Sequence, residues 1–153
     1  MHMTGFTIDS DLTVGEKRDV YLKRLNAVLN MDLPFAKVGL AHLTCSHISR
    51  DGKWKEILNG IPDEEFKQCF SKAATLGVGI ELNQSYFARC IHNEDLQKTV
   101  LRPYKIAKTQ GCKFYLGSDA HGPASLETSA IVFDFAITAL GLTEKDKFRP
   151  FNI

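Results

Sequence analysis

The chain has 153 residues and a formal net charge of +1, from 19 basic and 18 acidic side chains. Hydrophobic residues make up 44% and charged residues 24%, which is typical of one globular domain with a buried core and excludes a disordered chain. The charge balance indicates neither a membrane surface nor a nucleic-acid surface, although it argues only weakly against long nucleic acid.

The sequence carries no signal for a membrane or for secretion. No apolar run approaches the roughly 18 residues that span a bilayer, and the N-terminal residues lack the basic-then-apolar pattern of a signal peptide. The four cysteines show no CxxC spacing, so we expect reduced core thiols rather than a disulfide framework. These features predict a cytoplasmic protein.

The first part of the chain predicts two strands separated by a helix. Residues 2–7 predict a short first strand, and residues 37–43 predict a buried second strand. Thr13 and Glu16 have the spacing of a capping box, in which each side chain satisfies a free amide at the start of a helix. The apolar face predicted for this helix consists of Tyr21, Leu22, Leu25, Val28 and Leu29.

The middle of the chain predicts a functional loop, a helix and a third strand. Residues 44–61 are polar and contain glycine, so they predict a long loop with one turn at residues 54–58. Asp63 is predicted to cap the next helix and Gly77 to end it in a left-handed conformation. Residues 78–83 then form the strand. The predicted apolar face of the helix is Phe66, Cys69, Phe70 and Ala73.

The C-terminal part predicts a loop at 84–95, a helix, a strand at 112–117 and a last helix. The regular part of the first of these helices is predicted to begin at Pro103, because proline fits the first helical turn without losing a hydrogen bond. Ser125 is predicted to cap the last helix and Gly141 to end it. The predicted inward residues of the last helix are Leu126, Ala130, Phe133, Ile137 and Leu140.

Apolar strands alternating with amphipathic helices predict an α/β fold with about four parallel strands and helices on the outside. In such folds the chemistry lies at the carboxyl ends of the strands. The polar residues at those ends are His42, Glu81, Asn83, Asp119 and His121. Imidazole and carboxylate ligands together suit zinc, manganese or iron.

Each of these residues also has a purely structural interpretation. His42 alone is more typical of a hydrogen-bonded core histidine than of a ligand. Glu81 could form a buried salt bridge with Arg89 or Lys113, because a carboxylate among apolar strand residues is costly unless it is paired. Asn83 could cap the turn that follows it.

Three segments resemble motifs of the PHP (polymerase and histidinol phosphatase) superfamily. Residues 117–121 (GSDAH), after the apolar residues 114–116, resemble its last metal motif, and residues 38–42 (VGLAH) resemble a strand that ends in a metal histidine. Gly79–Asn83 (GIELN) resembles the Glu-x-Asn strand that lies beside the metals and the substrate. The three motifs follow the order of the family and cover nearly the whole chain.

The resemblance implies a distorted TIM-like (β/α) barrel and metal-dependent hydrolysis of phosphoesters. It places His42, Asp119 and His121 at metal-ligand positions. It also implies that Glu81 orients the attacking water or accepts its proton, with Asn83 beside it. Arg89 occupies a position where some relatives have a further metal histidine. Arginine does not bind metal, but it can hold a substrate phosphate.

The front of the family pattern has no counterpart in this sequence. The family opens with a His-x-His strand and further His and Glu ligands, whereas residues 2–7 align better with its fourth strand. On this interpretation residues 1–153 are a single C-terminal part of a PHP-type barrel, with an incomplete metal site.

Two functions follow from these sequence features. The first is a histidinol-phosphatase-like hydrolase that acts on a small phosphorylated substrate and has weak or no activity as this chain. The second is a non-catalytic barrel remnant that serves as a binding or assembly module. An open sheet with unpaired edges favours association, so a homo-oligomer, or an N-terminal barrel half supplied from elsewhere, is expected.

Overall fold

A computed structural model describes residues 11–49 and 51–150 of the chain. The predicted first strand at residues 2–7 lies outside the described residues. Within the described ranges the order of elements is α1 (Val14–Leu29), β1 (Gly39–Leu40), α2 (Trp54–Gly60), α3 (Asp63–Leu76), β2 (Gly79–Asn83), α4 (Gln84–Cys90), α5 (Glu94–Thr109), β3 (Lys113–Gly117) and α6 (Ser129–Leu140). Short 3-10 turns occupy Phe35–Lys37, Ser46–Ile48, Pro123–Leu126 and Glu144–Asp146.

The three described strands form one parallel sheet in the order β1-β2-β3. Ile80 of β2 lies opposite both Leu40 of β1 and Phe114 of β3. The helices pack on one another, chiefly α3 on α5 and α1 on α2. The α/β class and the parallel sheet are therefore confirmed, with three strands in the described chain. None of the described helices is both long enough and apolar enough to cross a membrane.

The two faces of the sheet differ in character. One face carries Leu40, Ile80, Leu82 and Phe114, all of which belong to the hydrophobic core. On the other face the ring of Tyr115 lies directly over Gly39 and the ring of Phe148 lies over Gly79, where a β-carbon would collide with them. This second face therefore has an aromatic layer at the amino ends of the strands, and Glu81 stands nearer their carboxyl ends.

The outer edge of β3 is partly covered by the chain itself. The Phe148 N–H donates to the Phe114 carbonyl oxygen at 2.7 Å, and Lys147 forms a single parallel bridge with Phe114. Pro150 cannot donate the next bond of such a ladder because it has no N–H. Leu116 is left 51% exposed on this strand.

The start of α1 and the buried face of α3 are as predicted. Thr13 and Glu16 form the capping box, with Thr13 N–H donating to the Glu16 carboxylate at 2.8 Å. Of the face predicted for α1, Tyr21, Leu25 and Leu29 are buried, whereas Leu22 and Val28 are half-buried. Residues Phe66, Cys69, Phe70 and Ala73 are the buried residues of α3. Gly77 ends α3 with φ 75°.

Several predicted boundaries in the first half of the chain are wrong. The strand at 37–43 is reduced to Gly39–Leu40, because a 3-10 turn precedes it and the backbone turns left-handed at His42. The loop at 44–61 contains α2, which is held by burial of Ile57 and Leu58. Asp63 is the first residue of α3 rather than its cap, and it accepts a hydrogen bond from Arg102 Nε at 2.7 Å instead.

The predicted loop at 84–95 is also wrong, because α4 fills most of it. Asn83 caps α4 by accepting the Ser85 N–H at 3.0 Å, so its alternative interpretation as a cap is confirmed. Helix α5 begins after Asn93, whose side chain accepts the Leu96 N–H at 3.0 Å. Pro103 therefore lies inside α5, where burial of its neighbours offsets the lost hydrogen bond.

The prediction for α6 misplaced both its start and its face. The helix begins at Ser129 rather than just after Ser125, and its buried residues are Val132, Ala136 and Leu140. Of the predicted inward set only Leu140 is buried; Phe133 and Ile137 are half-buried, and Leu126 and Ala130 are exposed. The α6 sequence SAIVFDFAITAL is apolar nearly all round, so its periodicity does not select one face.

Candidate functional site

Polar side chains collect at the carboxyl ends of all three described strands. His42 follows β1 by two residues, Glu81 and Asn83 lie within β2, and Asp119 follows β3 by two residues. Because the strands are parallel, these ends share one rim of the sheet. Three of the predicted site residues, His42, Glu81 and Asp119, are in direct proximity there.

His42 and Asp119 share an uncommon backbone conformation. Their φ angles are 61° and 51°, and within the described residues they are the two non-glycine positions with positive φ. The left-handed region costs an ordinary L-residue roughly 1–2 kcal/mol. Such conformations cluster at functional sites, where the surrounding structure holds them.

Side-chain atoms of these residues lie within a few ångströms of one another. His42 Nε2 is 3.7 Å from Asp119 Oδ2 and 4.0 Å from Glu81 Oε2. All three side chains are less than one-third exposed. The rim therefore places an imidazole nitrogen between two carboxylates.

Glu81 is buried, with 7% of its surface exposed, and its hydrogen bonds join two strands. Its Oε2 accepts the backbone N–H of His42 at 2.8 Å and the Asn83 side-chain amide at 3.3 Å. The same carboxylate lies over Gly117 of β3, where a β-carbon would collide with Oε1. The alternative partners predicted for Glu81 are engaged with other atoms: Lys113 donates to the Lys145 carbonyl oxygen and Arg89 to Ser46.

His121 and Arg89 lie at the exposed margin of the rim. His121 Nδ1 is 2.8 Å from the Asp119 carbonyl oxygen, and its side chain is exposed. Arg89 Nη1 is 3.5 Å from Ser46 Oγ. In the part of the chain that the structure describes, no three His, Cys, Asp or Glu side chains are arranged to hold one metal ion.

Tyr86 belongs to the site and was missed by the sequence-based prediction. Its ring meets the His42 ring edge-on at a centroid distance of 6.2 Å, and its hydroxyl contacts Cys45 Sγ. Burial, the bond to Cys45 and the negative charge of Asp119 raise the pKa of Tyr86 well above its ordinary value, so the hydroxyl stays protonated at neutral pH. Tyr86 lies on α4, in a segment predicted to be a loop, and an aromatic residue in a loop carries no signal of a site.

Comparison with known proteins gives no assignment. No family model, curated protein or solved structure matches the chain. Function is therefore inferred from the geometry of the rim and from the three motifs of the sequence.

Proposed function

We propose that this chain carries a metal-dependent phosphoesterase site of the PHP type, built on part of a (β/α) barrel. The observation that carries the proposal is the pairing of His42 and Asp119. These two residues come from the ends of β1 and β3, both have left-handed backbones, and their Nε2 and Oδ2 atoms are 3.7 Å apart. Two ligands bound at about 2.1 Å to one ion lie at most about 4.2 Å apart.

The fit of a metal ion to these residues is partial. His42 and Asp119 are spaced as two ligands of one zinc, manganese or iron ion. His121 is the third proposed ligand, and its exposed ring would have to turn from its bond to the Asp119 carbonyl oxygen. A complete catalytic site of this kind has three protein ligands and a water molecule. The proposal thus requires either movement of His121 or donors from beyond the described residues.

The bound ion and two other residues of the rim, Arg89 and Tyr86, would each contribute to the reaction. When bound, the ion would lower the pKa of a water molecule toward neutrality and polarise the phosphoryl oxygens. Arg89 is exposed beside the rim, and its planar guanidinium can hold a phosphate through two parallel hydrogen bonds. The ring of Tyr86 packs edge-on against the His42 ring, so it would help to orient the imidazole. The proposed substrate is a small phosphorylated molecule.

Calorimetric titration with Mn²⁺ and Zn²⁺ tests the metal site directly. We expect one ion to bind, and the His42→Ala and Asp119→Ala variants to bind about tenfold or more weakly, since each loses a ligand. His92→Ala is a matched control, because His92 is exposed in the turn between α4 and α5. Equal affinity in the wild type and in both site variants would refute the proposal.

Hydrolysis of p-nitrophenyl phosphate with Mn²⁺ tests the reaction. We expect slow turnover from the purified chain, because two well-placed ligands hold an ion weakly. Turnover should fall further in Arg89→Ala through a higher KM, since the phosphate loses its clamp. Fast turnover that survives His42→Ala would show that the rim is not the catalytic site.

A second proposal, a non-catalytic binding or assembly module, is favoured by two exposed apolar side chains. Leu116 on β3 and Ile131 on α6 are 51% and 65% exposed, and exposed apolar surface favours association. Metal-free purified protein that forms a stable homo-oligomer in light scattering would support this function. A metal-loaded monomer would exclude it.

A further inference from the structure

Glu81 makes contacts that are unusual for a strand carboxylate. It is buried at the centre of the rim, and burying a carboxylate is costly unless hydrogen bonds compensate. Its compensating donors are the His42 backbone N–H at 2.8 Å and Asn83 Nδ2 at 3.3 Å, and both reach the same oxygen, Oε2. The His42 ring nitrogen lies farther away, at 4.0 Å from that oxygen.

The other half of the carboxylate lies against β3. A β-carbon at residue 117 would collide with Oε1, Cδ and Cγ of Glu81. The residue opposite Asn83 in the β2–β3 register is Gly117, and the absence of a β-carbon there leaves room for the Glu81 carboxylate. Glu81 therefore extends from the backbone at the end of β1, across its own strand, to the backbone at the end of β3.

The hydrogen bond between Glu81 and the His42 N–H helps to hold the left-handed backbone of His42. A residue at φ 61° needs external contacts to hold it, and a hydrogen bond from its N–H to a charged acceptor is among the stronger contacts available. The orientation of this backbone sets where the imidazole points, and hence its 3.7 Å approach to Asp119.

We propose that Glu81 is a positioning residue: it fixes the left-handed backbone of His42 and does not itself bind the metal ion. The statement that Glu81 does not bind the metal ion rests on the proposed metal site. The statement that Glu81 fixes the His42 backbone depends only on the hydrogen bond between them. Ligation through Oε2 would require it to turn from its two donors and leave them unpaired at a buried position, and Oε1 lies against Gly117 of β3.

Two substitutions separate positioning from ligation. Glu81→Ala removes the acceptor, whereas Glu81→Gln keeps an amide oxygen that can accept from both donors but has lost the charge. Glu127→Gln is a control, because Glu127 is exposed in the turn before α6. Circular dichroism establishes that each variant is folded, and Glu81→Gln, which is nearly isosteric, keeps the test valid if Glu81→Ala does not fold.

The first readout is hydrogen exchange of the His42 amide in ¹⁵N-labelled protein. Loss of a hydrogen bond to a charged acceptor should speed exchange about ten- to a hundredfold in Glu81→Ala, with much smaller changes in Glu81→Gln and in the control. The second readout is the affinity for Mn²⁺. We expect Glu81→Gln to bind within about threefold of wild type and Glu81→Ala about tenfold or more weakly.

The outcomes are decisive in both directions. Unchanged His42 exchange in folded Glu81→Ala overturns the positioning role. If Glu81→Gln loses Mn²⁺ as completely as His42→Ala while the His42 amide stays protected, Glu81 is a ligand and the proposal is wrong. If the wild type binds no ion, the phosphoesterase proposal fails, and the exchange experiment still decides whether Glu81 holds His42.

Discussion

Gly117→Ala is the most direct perturbation of the rim. Gly117 is not among the glycines with positive φ, so alanine fits its backbone. The new methyl group would collide with three side-chain atoms of Glu81. Because Glu81 is buried, moving its side chain away from the new methyl group would disturb its hydrogen bond with the His42 N–H.

The expected loss of stability follows from these contacts. A hydrogen bond to a charged group contributes about 1.5–3 kcal/mol, and overpacking a tight site costs about 1–3 kcal/mol. Replacing glycine by alanine restricts the unfolded chain and returns about 0.4–1 kcal/mol. The free energy of unfolding should therefore fall by about 2–5 kcal/mol.

Urea unfolding followed by the fluorescence of Trp54, the one tryptophan of the chain, measures this loss. In the Glu81→Ala background the colliding atoms are gone, so Gly117→Ala should cost less than about 0.5 kcal/mol there. Gly122→Ala is the control, because Gly122 has extended backbone and no atom within 4 Å of an added β-carbon. Equal costs of Gly117→Ala in both backgrounds would show that the collision with Glu81 is not the cause.

Three further predictions concern the rest of the fold. Hydrogen bonds from Lys17 and Ser49 hold the pKa of Asp51 below its ordinary range. The ionised Asp51 therefore stabilises the folded state above the unfolded pKa of about 3.9, and this stabilisation is lost as the pH falls below that value. Asp51→Asn should therefore flatten the acid limb of stability against pH in urea titrations, and an unchanged limb would contradict this. Gly77→Ala should destabilise the protein by about 1 kcal/mol, because φ at residue 77 is 75°. Gly60→Ala should stabilise it slightly, because Gly60 lies in helix α2 with open space around it. Denaturation midpoints that shift in the same direction in both variants would contradict this prediction. Burial raises the pKa of the Cys112 thiol to about 12, and all four cysteines are buried. An aromatic disulfide reagent at pH 8 should therefore label the cysteines only when the protein unfolds. Rapid labelling of the native protein would contradict this prediction.

Local signals in the sequence predict those parts of the fold that local chemistry determines. The capping box at Thr13, the apolar face of α3 and the left-handed end at Gly77 each depend on residues a few positions apart. The rim residues His42 and Glu81 are predictable because a polar side chain at the end of an apolar strand is costly to bury unless it is paired. That part of the site needs only the rule that parallel strands share an end.

Long-range packing determines the features that the sequence does not reveal. Helix α4 has seven residues and is stabilised by contacts with α5 and α6, so its position could not be found by periodicity. Arg102 holds the turn before α3 by donating to the Leu58 and Ile61 carbonyl oxygens, which no local pattern indicates. Tyr86 joins the site only because α4 turns it toward His42. The close contact between Gly117 and the Glu81 carboxylate likewise depends on the strand register.

The left-handed backbones of His42 and Asp119 have a consequence for how this sequence can change. Glycine tolerates that conformation better than any other residue, so glycine at either position is compatible with the fold. Selection for thermal stability alone would therefore favour glycine at positions 42 and 119. A lineage that keeps histidine and aspartate there would carry the strain under a different pressure, that of the chemistry at the rim.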